Sequence, residues 1–429
     1  PGLSHTHQCR LSILGDDGSS TDFLIQFAVP DITLSDLRMS QMFDLLNSVA
    51  ASHKMCRQKN ITVSIPVVVP ITPRIRLLKE SKTFVTLSSI YDKFCMRNGR
   101  DELEPFFKLQ NASIVDTQPE FLAPVPREVI SRKQRIDAFQ EIRSKHVPDD
   151  LLSRFVYSKL QSYESYWHVR KQFTVQTGII GYLSYLLSMG KQDPHKISIN
   201  MSSGLIQYAD LRPNYQTNAE ANDKKTDVEL GTDESVPFRL TPNISHFISP
   251  PGIKGVLAST MMGISNALKE NESFVEDYLH LFFRDDIQAF QKKQSKLNSV
   301  SGANNNQNAN ADNLNPPSKK QKTSKFSSND TSNDTKSNKE SLSENREMEN
   351  TVDIGFQKCI SKNVTTVLNR INLTTPVHMP PKYDRSTCMT SGRPLNKGTK
   401  TNSNIRVLID CAMDHKQLAQ MPANWQSWL

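Results

Sequence analysis

Side chains that could do chemistry are scattered along this 429-residue chain and form no recognised catalytic or metal-binding motif. The six cysteines include no C-x-x-C pair and no Cys/His spacing of the kind that binds zinc. Asp285 and Asp286 form a carboxylate pair, which on a helix is typical of a solvated face, and His195 has no partner that the sequence identifies. We therefore expect no metal ion and no cofactor.

The charge of the chain is small and unevenly distributed. Lysine and arginine number 52 against 44 acidic residues, a net charge of +8, and half of that excess lies in residues 291–345, with nine lysines and five acidic residues. A nucleic-acid site would need clustered arginines with interleaved aromatics, which the sequence lacks. Phe173–Met189 is apolar but contains Gln, Thr, Ser and Gly, so it predicts a buried central helix rather than a membrane span.

The first 80 residues predict a small mixed α/β lobe. Arg10–Leu14 and Phe23–Phe27 flank a Gly-Asp-Asp-Gly turn and predict a β-hairpin. Leu34–Leu46 has helical spacing of its apolar residues, and strands are expected in Ile61–Val69 and Ile75–Leu78.

Helical periodicity dominates the rest of the chain. Ser273 and Glu276 predict a capping box that opens an amphipathic helix over Phe274–Phe290. The other helices are predicted over Leu87–Met96, Arg127–Lys145, Leu151–Gln161, Val352–Ile371 and Ile405–Met421.

Two further segments stand out by composition. Residues 301–345 are rich in Asn and Ser and poor in large apolar side chains, which predicts disorder. This segment holds a basic cluster that is either a nuclear localisation signal or a solvated charge run: Lys319, Lys320, Lys322 and Lys325. The chain closes on Trp425, Trp428 and Leu429, where the tryptophans either anchor the last helix in the core or contact a partner, and we favour the core.

Four segments carry a resemblance to a known family: Val236–Ser245, Trp167 with Arg170–Thr174, Ile65–Val69 with Arg76 and Leu77, and Met421–Trp425. In this order they resemble the TRRAP family of pseudokinases, within the phosphatidylinositol 3-kinase-related kinases. The tail from Leu408 to Leu429 is similar to their FATC segment.

The resemblance implies an α+β, bilobal PI3K/PIKK-like kinase fold with a small β-rich N-lobe, a larger mainly helical C-lobe and a C-terminal FATC helix. The chain begins with Pro1, and the family's first strand would precede it, so we expect a fragment of a longer protein. The implied divisions are an N-lobe at 1–80, a C-lobe at 81–290, a disordered insertion at 291–350, the terminal C-lobe helix and linker at 351–396, and FATC at 397–429.

The same resemblance implies a degenerate catalytic site. Active relatives carry G-D-R-H-x-x-N and then D-F-G, and Gly190 matches the first glycine. In that register Lys191 replaces the catalytic Asp, Asp193 the His and Lys196 the Mg²⁺-binding Asn, while Asp210 keeps its place and Leu211 replaces the Phe. An ammonium group has no acceptor, and its pKa is about 10.4, so at neutral pH it neither takes a proton nor binds a cation.

Two other parts of the family site also differ. Gln26 stands at or near the place of the phosphate-binding lysine, and no lysine occurs between Pro1 and His53. Pro237, Phe238 and Arg239 match the element that closes the activation loop, but the segment before them is long, polar and acidic and predicts a surface loop.

The implied function is that of a catalytically inactive domain in a large scaffold subunit. The resemblance implies the nucleus as location, subunits of SAGA and NuA-four type histone acetyltransferase complexes as partners, and transcription activators that bind the full-length protein. An active lipid or protein kinase with an unconventional site is the alternative. A nucleic-acid-binding module, which rests on net charge alone, is a third reading, and we expect neither direct nucleic-acid nor membrane binding.

Overall fold

A small antiparallel sheet precedes a larger helical body. The computed structural model describes residues 8–27, 34–64, 68–72, 75–79, 83–112, 127–190, 192–208, 212–218, 227–231, 234–308, 337–372 and 400–429. The first sheet has the order β1-β2-β4-β3, and its strands are β1 (Gln8–Leu14), β2 (Ser20–Phe27), β3 (Val68–Thr72) and β4 (Ile75–Lys79).

The predicted N-terminal hairpin is confirmed, and one predicted strand is shorter than expected. Gln8 pairs with Gln26 and Leu14 with Ser20 across the turn at Gly15–Ser19. In the stretch that predicted a strand from Ile61, the described residues 61–64 are not β-strand. Val63 instead exchanges two hydrogen bonds with the Asn47 side chain, at 2.7 and 3.2 Å, so a neighbouring helix satisfies the backbone that a strand would have paired.

Fourteen helices follow one another in the described residues. They are α1 (Leu34–Ser52), α2 (Lys54–Gln58), α3 (Leu87–Asn98), α4 (Glu104–Asn111), α5 (Arg127–Glu141), α6 (Leu151–Lys159), α7 (Tyr163–Leu186), α8 (Pro242–Ile248), α9 (Pro250–Gly252), α10 (Ala258–Glu270), α11 (Glu272–Asn308), α12 (Ser337–Asn372), α13 (Lys400–Met413) and α14 (His415–Leu418). Two π-helical turns, Ile142–His146 and Ile253–Leu257, continue α5 and α9.

Helix α7 lies at the centre of the helical lobe, as its apolar sequence predicted. It begins where Ser162 accepts a hydrogen bond from the Ser165 amide at 3.1 Å, and every residue from Phe173 to Leu186 is buried. A Cβ at Gly181 would lie 2.7 Å from the ring of Phe238, so the glycine allows that ring to lie directly on the helix. Among the described residues, no helix is long and apolar enough to cross a bilayer.

The segment after residue 210 is not the plain surface loop that its polarity predicted. It contains an antiparallel pair, β8 (Tyr215–Asn218) and β9 (Asp227–Leu230). The buried side chain of Asn363 on α12 accepts from the Leu230 amide at 2.7 Å and donates to the Val228 oxygen at 2.9 Å. Polar residues form a packed hairpin here because a distant helix supplies the missing hydrogen-bond partners.

The expectation that Asp285 and Asp286 are solvated is also wrong. Asp286 is buried and accepts a hydrogen bond from the Tyr215 hydroxyl at 2.5 Å, while Asp285 pairs with Arg38 of α1 at 2.7 Å. These contacts tie α11 to the β8–β9 hairpin and to the small lobe. The remaining strands, β5 (Phe84–Thr86), β6 (Ile197–Asn200) and β7 (Ile206–Tyr208), form a sheet of their own.

Helices α11 and α12 extend beyond their predicted ends. Helix α11 begins at Glu272, where Asn271 accepts from the Val275 amide at 3.1 Å, so Ser273 lies inside the first turn and is not the cap. Both helices continue into the tract that predicted disorder, to Asn308 and from Ser337. Once a helix is nucleated by packing, each added residue gains a hydrogen bond, which offsets an unfavourable composition. The basic cluster at 319–325 lies outside the described residues.

The turn between β6 and β7 generates a stability prediction. Gly204 has φ of +75° and a Cβ there would lie 2.3 Å from the Val169 oxygen, whereas Gly99 has φ of +60° and nothing within 4 Å of its Cβ position. We expect Gly99→Ala to lose about 1–2 kcal/mol from backbone strain, and Gly204→Ala to lose about 1–3 kcal/mol more from the added contact. Urea unfolding measures both, and equal losses would contradict this account of the turn.

Candidate functional site

The residues that match a catalytic loop lie between the end of α7 and β6. Lys191, Asp210 and Leu211 lie outside the described residues. Gln192 is buried, Asp193 precedes a single turn of 3-10 helix at Pro194–Lys196, and the His195 side chain is exposed.

Several polar side chains of the described part of this loop pair with groups inside it or next to it. The side-chain amide of Gln192 donates to the Ser184 hydroxyl at 2.8 Å and to the Met189 backbone oxygen at 3.1 Å. The Lys196 ammonium lies 3.8 Å from an Asp193 carboxylate oxygen, so the two charged side chains of the loop face each other. A cation held against the loop's carboxylate is a poor setting for Mg²⁺, which prefers oxygen ligands.

A buried arginine that the sequence did not predict binds the start of the loop. Arg370 on α12 donates to the backbone oxygens of Tyr185 and Leu186, at 3.0 and 2.8 Å, and to the Ser188 hydroxyl at 2.8 Å. The guanidinium therefore caps the carbonyl end of α7, where a positive charge is favoured. It also holds Ser188, whose φ of +48° reverses the chain direction.

A second buried arginine, Arg239, joins the loop to the C-terminal tail. Its Nη1 donates to the oxygens of Gln192 at 2.9 Å and Trp425 at 2.7 Å, and its Nη2 donates to the oxygens of Gln426 and Leu429, both at 3.0 Å. The guanidinium carbon lies 4.3 Å from the centroid of the Trp425 ring. This is a cation–π contact in a desolvated setting, where such contacts are strongest.

Burial sets the charge state of Arg239. Desolvation lowers the pKa of its guanidinium to about 10, while Tyr208, Asp193 and Glu234 act in the opposite direction. The side chain is therefore charged at neutral pH. The backbone oxygens of the tail are the groups that stabilise this charge in the interior.

Neighbouring residues of the same segment complete the contact with the tail. Thr241 donates to the Leu429 oxygen at 2.5 Å and the Asn243 amide donates to the Trp428 oxygen at 2.8 Å. Trp425 and Trp428 are 2% and 1% exposed, so the tail tryptophans lie in the core. Pro237 and Phe238 are buried beside them.

Two arginines on α5 and its π-helical continuation contact the tail helices and the residues after them. Arg135 donates to the oxygens of Ala419 at 2.9 Å and Met421 at 2.5 Å. Arg143 lies 3.1 Å from the ring nitrogen Nδ1 of His415 and forms an ion pair with Asp149 at 2.5 Å. Burial, and next to it the Arg143 charge, lower the pKa of His415 below its usual range.

In the small lobe, Gln26 lies on β2 with its backbone opposite Arg76 of β4.

Among the described residues, no group of three or more His, Cys, Asp or Glu side chains could hold a metal ion.

Comparison with known proteins identifies the family of this fold. The model of the phosphatidylinositol 3- and 4-kinase family matches residues 23–292. The chain belongs to that family. Its fold resembles the "FAT and kinase domain of CtTel1", with a TM-score of 0.61 at 15% identity over 98% of this chain and 22% of that one. The predicted bilobal kinase fold is thereby confirmed.

Within the phosphatidylinositol 3- and 4-kinase family, the curated relatives confirm the predicted TRRAP resemblance. The "SAGA complex/NuA4 acetyltransferase complex subunit TRA1" of Saccharomyces cerevisiae is 29% identical over 295 residues, 66% of this chain. The human "Transformation/transcription domain-associated protein" is 27% identical over 290 residues, also 66% of this chain. The matched regions are 8% and 7% of the lengths of these relatives.

The hydrogen bonds of Arg239 predict a large loss of stability when its side chain is replaced by that of alanine. Arg239→Ala removes a donor from four backbone oxygens, of which that of Leu429 keeps Thr241, and a buried acceptor without a partner costs about 1–3 kcal/mol. We expect the free energy of unfolding to fall by about 3 kcal/mol or more, and the fluorescence of the tail tryptophans to shift to the red. Arg97→Ala, at an exposed position on α3, is the matched control. Equal stability of the two variants would contradict the role of Arg239.

The lowered pKa of His415 predicts an acid-sensitive tail. Between that lowered value and about 6.5, the unfolded chain binds a proton that the folded chain does not, so stability falls as the pH drops through this interval. His415→Gln should reduce the loss of melting temperature between pH 7.5 and 5, whereas His195→Gln, at an exposed position, should leave it unchanged. The same pH dependence in His415→Gln and the unchanged chain would contradict this assignment.

Proposed function

We propose that this chain is a catalytically inactive kinase-like module of a large nuclear scaffold subunit. The observation that carries the proposal is the Asp193–Lys196 pair, which occupies the loop where phosphoryl transfer needs a proton acceptor and oxygen ligands for Mg²⁺. By the register with active relatives, Lys191 stands where the catalytic carboxylate is needed.

The requirements of phosphoryl transfer explain why these differences from active relatives matter. Phosphoryl transfer is mostly positioning and charge stabilisation, so it depends on a metal bound by carboxylate and amide oxygens and on a group that orients the attacking hydroxyl. A lysine supplies neither oxygen ligands nor, at neutral pH, an acceptor. One retained aspartate, Asp210, leaves a cation with a single protein ligand from this set.

The scaffold role is supported by the relatives and by the way the fold is stabilised. The named relative from Saccharomyces cerevisiae is a subunit of the SAGA and NuA4 acetyltransferase complexes, and we infer that this chain serves in complexes of that type. Hydrogen bonds within the chain hold the lobe and the tail together, and they are donated by Arg239, Thr241 and Asn243. Recruitment by transcription activators belongs to the full-length protein.

Absence of phosphotransfer is the first test. With Mg²⁺ and radiolabelled ATP, we expect no label on phosphatidylinositol vesicles or on a serine/threonine peptide, and no nucleotide-dependent rise in melting temperature. The site offers no base and an incomplete set of metal ligands. An active kinase of the same family is the positive control. Saturable stabilisation by Mg²⁺-ATP that Asp210→Ala abolishes would contradict the proposal.

Assembly is the second test. Deletion of residues 408–429 removes the tail that Arg239 and Arg135 bind, so we expect the tagged full-length protein to lose its co-purifying acetyltransferase subunits. Lys196→Ala changes the catalytic-loop remnant alone and should keep them. Loss of the subunits in both variants, or in neither, would contradict a scaffold role that depends on the tail.

A further inference from the structure

A group of aromatic side chains lies at the junction of α6 and α7. Tyr163, Tyr166 and Trp167 have the i, i+3, i+4 spacing that places them on one face of α7. Tyr157 of α6 joins them, with its ring centroid 5.7 Å from that of Tyr166. The group is therefore built from two helices, and spacing in the sequence shows only the part that lies on α7.

The outer three rings of this group are open to solvent. Tyr157 is 61% exposed, Tyr163 73% and Trp167 55%. Tyr166 is half-buried, and its ring packs against that of Phe247 on α8 with the centroids 5.9 Å apart. The group thus has a base in the core, while the outer rings keep accessible surface. Accessible aromatic rings at fixed positions can stack on other planar groups, such as the bases of a nucleic acid.

Helix α7 adds a positive charge next to these rings. The ammonium nitrogen of Lys171 lies 5.1 Å from the centroid of the Trp167 ring. Tyr163, Trp167 and Lys171 follow one another at intervals of four residues, so they form one stripe of about 12 Å along the helix, at about 1.5 Å per residue. Two rings followed by a cation match two bases and a phosphate group of a single strand.

Two further lysines lie on the opposite side of α6, because Phe155 and Tyr157 are two residues apart on that helix. The ammonium groups of Lys93 on α3 and Lys159 on α6 are 5.8 and 6.0 Å from the centroid of the Phe155 ring. Among the described residues, no carboxylate forms an ion pair with these two lysines or with Lys171. An aromatic ring holds an ammonium group in place without neutralising it, so the three charges are available to phosphate groups.

The charge of this region contrasts with that of the rest of the folded body. Residues 151–171 contain four basic residues and one acidic residue, a net charge of +3, although Arg154 is paired with Asp150 at 2.6 Å. Residues 291–345 carry +4 of the +8 of the chain, so this short stretch supplies three of the other four charges. A strand with a negative charge on each phosphate group complements such a local excess of positive charge.

We propose that single-stranded nucleic acid binds at a stacking patch, which consists of Tyr157, Tyr163, Trp167, Lys171, Lys93 and Lys159. Unpaired bases stack on the rings of Tyr163 and Trp167, and phosphate groups pair with the lysines. This departs from the expectation drawn from the sequence, because the parts of the patch come from α3, α6 and α7 and meet only in the fold. The proposal goes beyond the scaffold role and does not depend on it.

Fluorescence anisotropy of labelled probes on the full chain tests the proposal. The probes are oligodeoxythymidine and oligouridine of about ten nucleotides, an abasic strand of equal length and charge, a DNA duplex, and a peptide rich in Asp, Glu, Phe and Leu. We expect a single strand to bind, and the abasic strand and the duplex to bind at least about tenfold more weakly, because neither presents bases that can stack on the rings. Binding of either single strand supports the proposal, and the tighter of the two identifies the sugar.

Exposed positions inside and outside the patch provide the variants. Trp167→Ala and Tyr163→Ala should each raise the Kd of the single strand by about tenfold, since each removes a ring on which a base stacks. Lys171→Ala should reduce the slope of log K against log salt concentration by about 0.7, the value for one phosphate contact on a single strand. Phe274→Ala on α11 and Lys358→Ala on α12 are exposed controls of matched type and should change the Kd less than about twofold and leave the slope unchanged.

Four outcomes would overturn the proposal: no binding of either single strand, equal binding of the abasic strand, equal effects of patch and control variants, or tighter binding of the acidic peptide than of either strand. The melting temperature of each variant checks that a loss of binding is not a loss of fold. Tyr163 and Trp167 are both more than half exposed, so if one of the two alanine variants does not fold, the other still decides the test.

Discussion

The buried guanidinium of Arg239 is the interaction on which three parts of the molecule depend. Taking a cation out of water is costly, and the cost is offset here by four backbone oxygens and the face of an indole ring. Those oxygens belong to the loop that matches the family's catalytic loop and to the tail. Lobe, loop and tail therefore adopt their positions together, because the two terminal nitrogens of the guanidinium have all their acceptors only when all three are in place.

A fold held together by such contacts can be kept when residues of its catalytic loop are substituted. Arg239 and Arg370 hold the two ends of the loop through backbone oxygens and a serine hydroxyl, and Phe238 packs on Gly181 of the central helix. The side chains of Asp193 and Lys196, which are described residues of this loop, take no part in these hydrogen bonds. Substitution at these two positions would thus leave the packing intact, which is consistent with the proposed scaffold that keeps the kinase shape.

Local patterns in the sequence predicted the local parts of this structure. The Gln8–Phe27 hairpin follows from alternation around a glycine turn, and α7 follows from its apolar run. Contacts between distant residues were not predictable in the same way. The partners of Arg239 lie 47 to 190 residues away, and those of Arg370 lie more than 180 residues away, so no local spacing signals them. The buried Asp286 and the β8–β9 hairpin were missed for the same reason.

The coupling of loop and tail through one side chain is tested most directly by hydrogen–deuterium exchange in an Arg239→Lys chain. Lysine keeps the charge but cannot reach the loop oxygen and the tail oxygens with one planar fork. The account predicts faster amide exchange in residues 192–200 and in residues 425–429 together, with the Gln8–Phe27 hairpin unchanged. Faster exchange in the tail with an unchanged loop would contradict it.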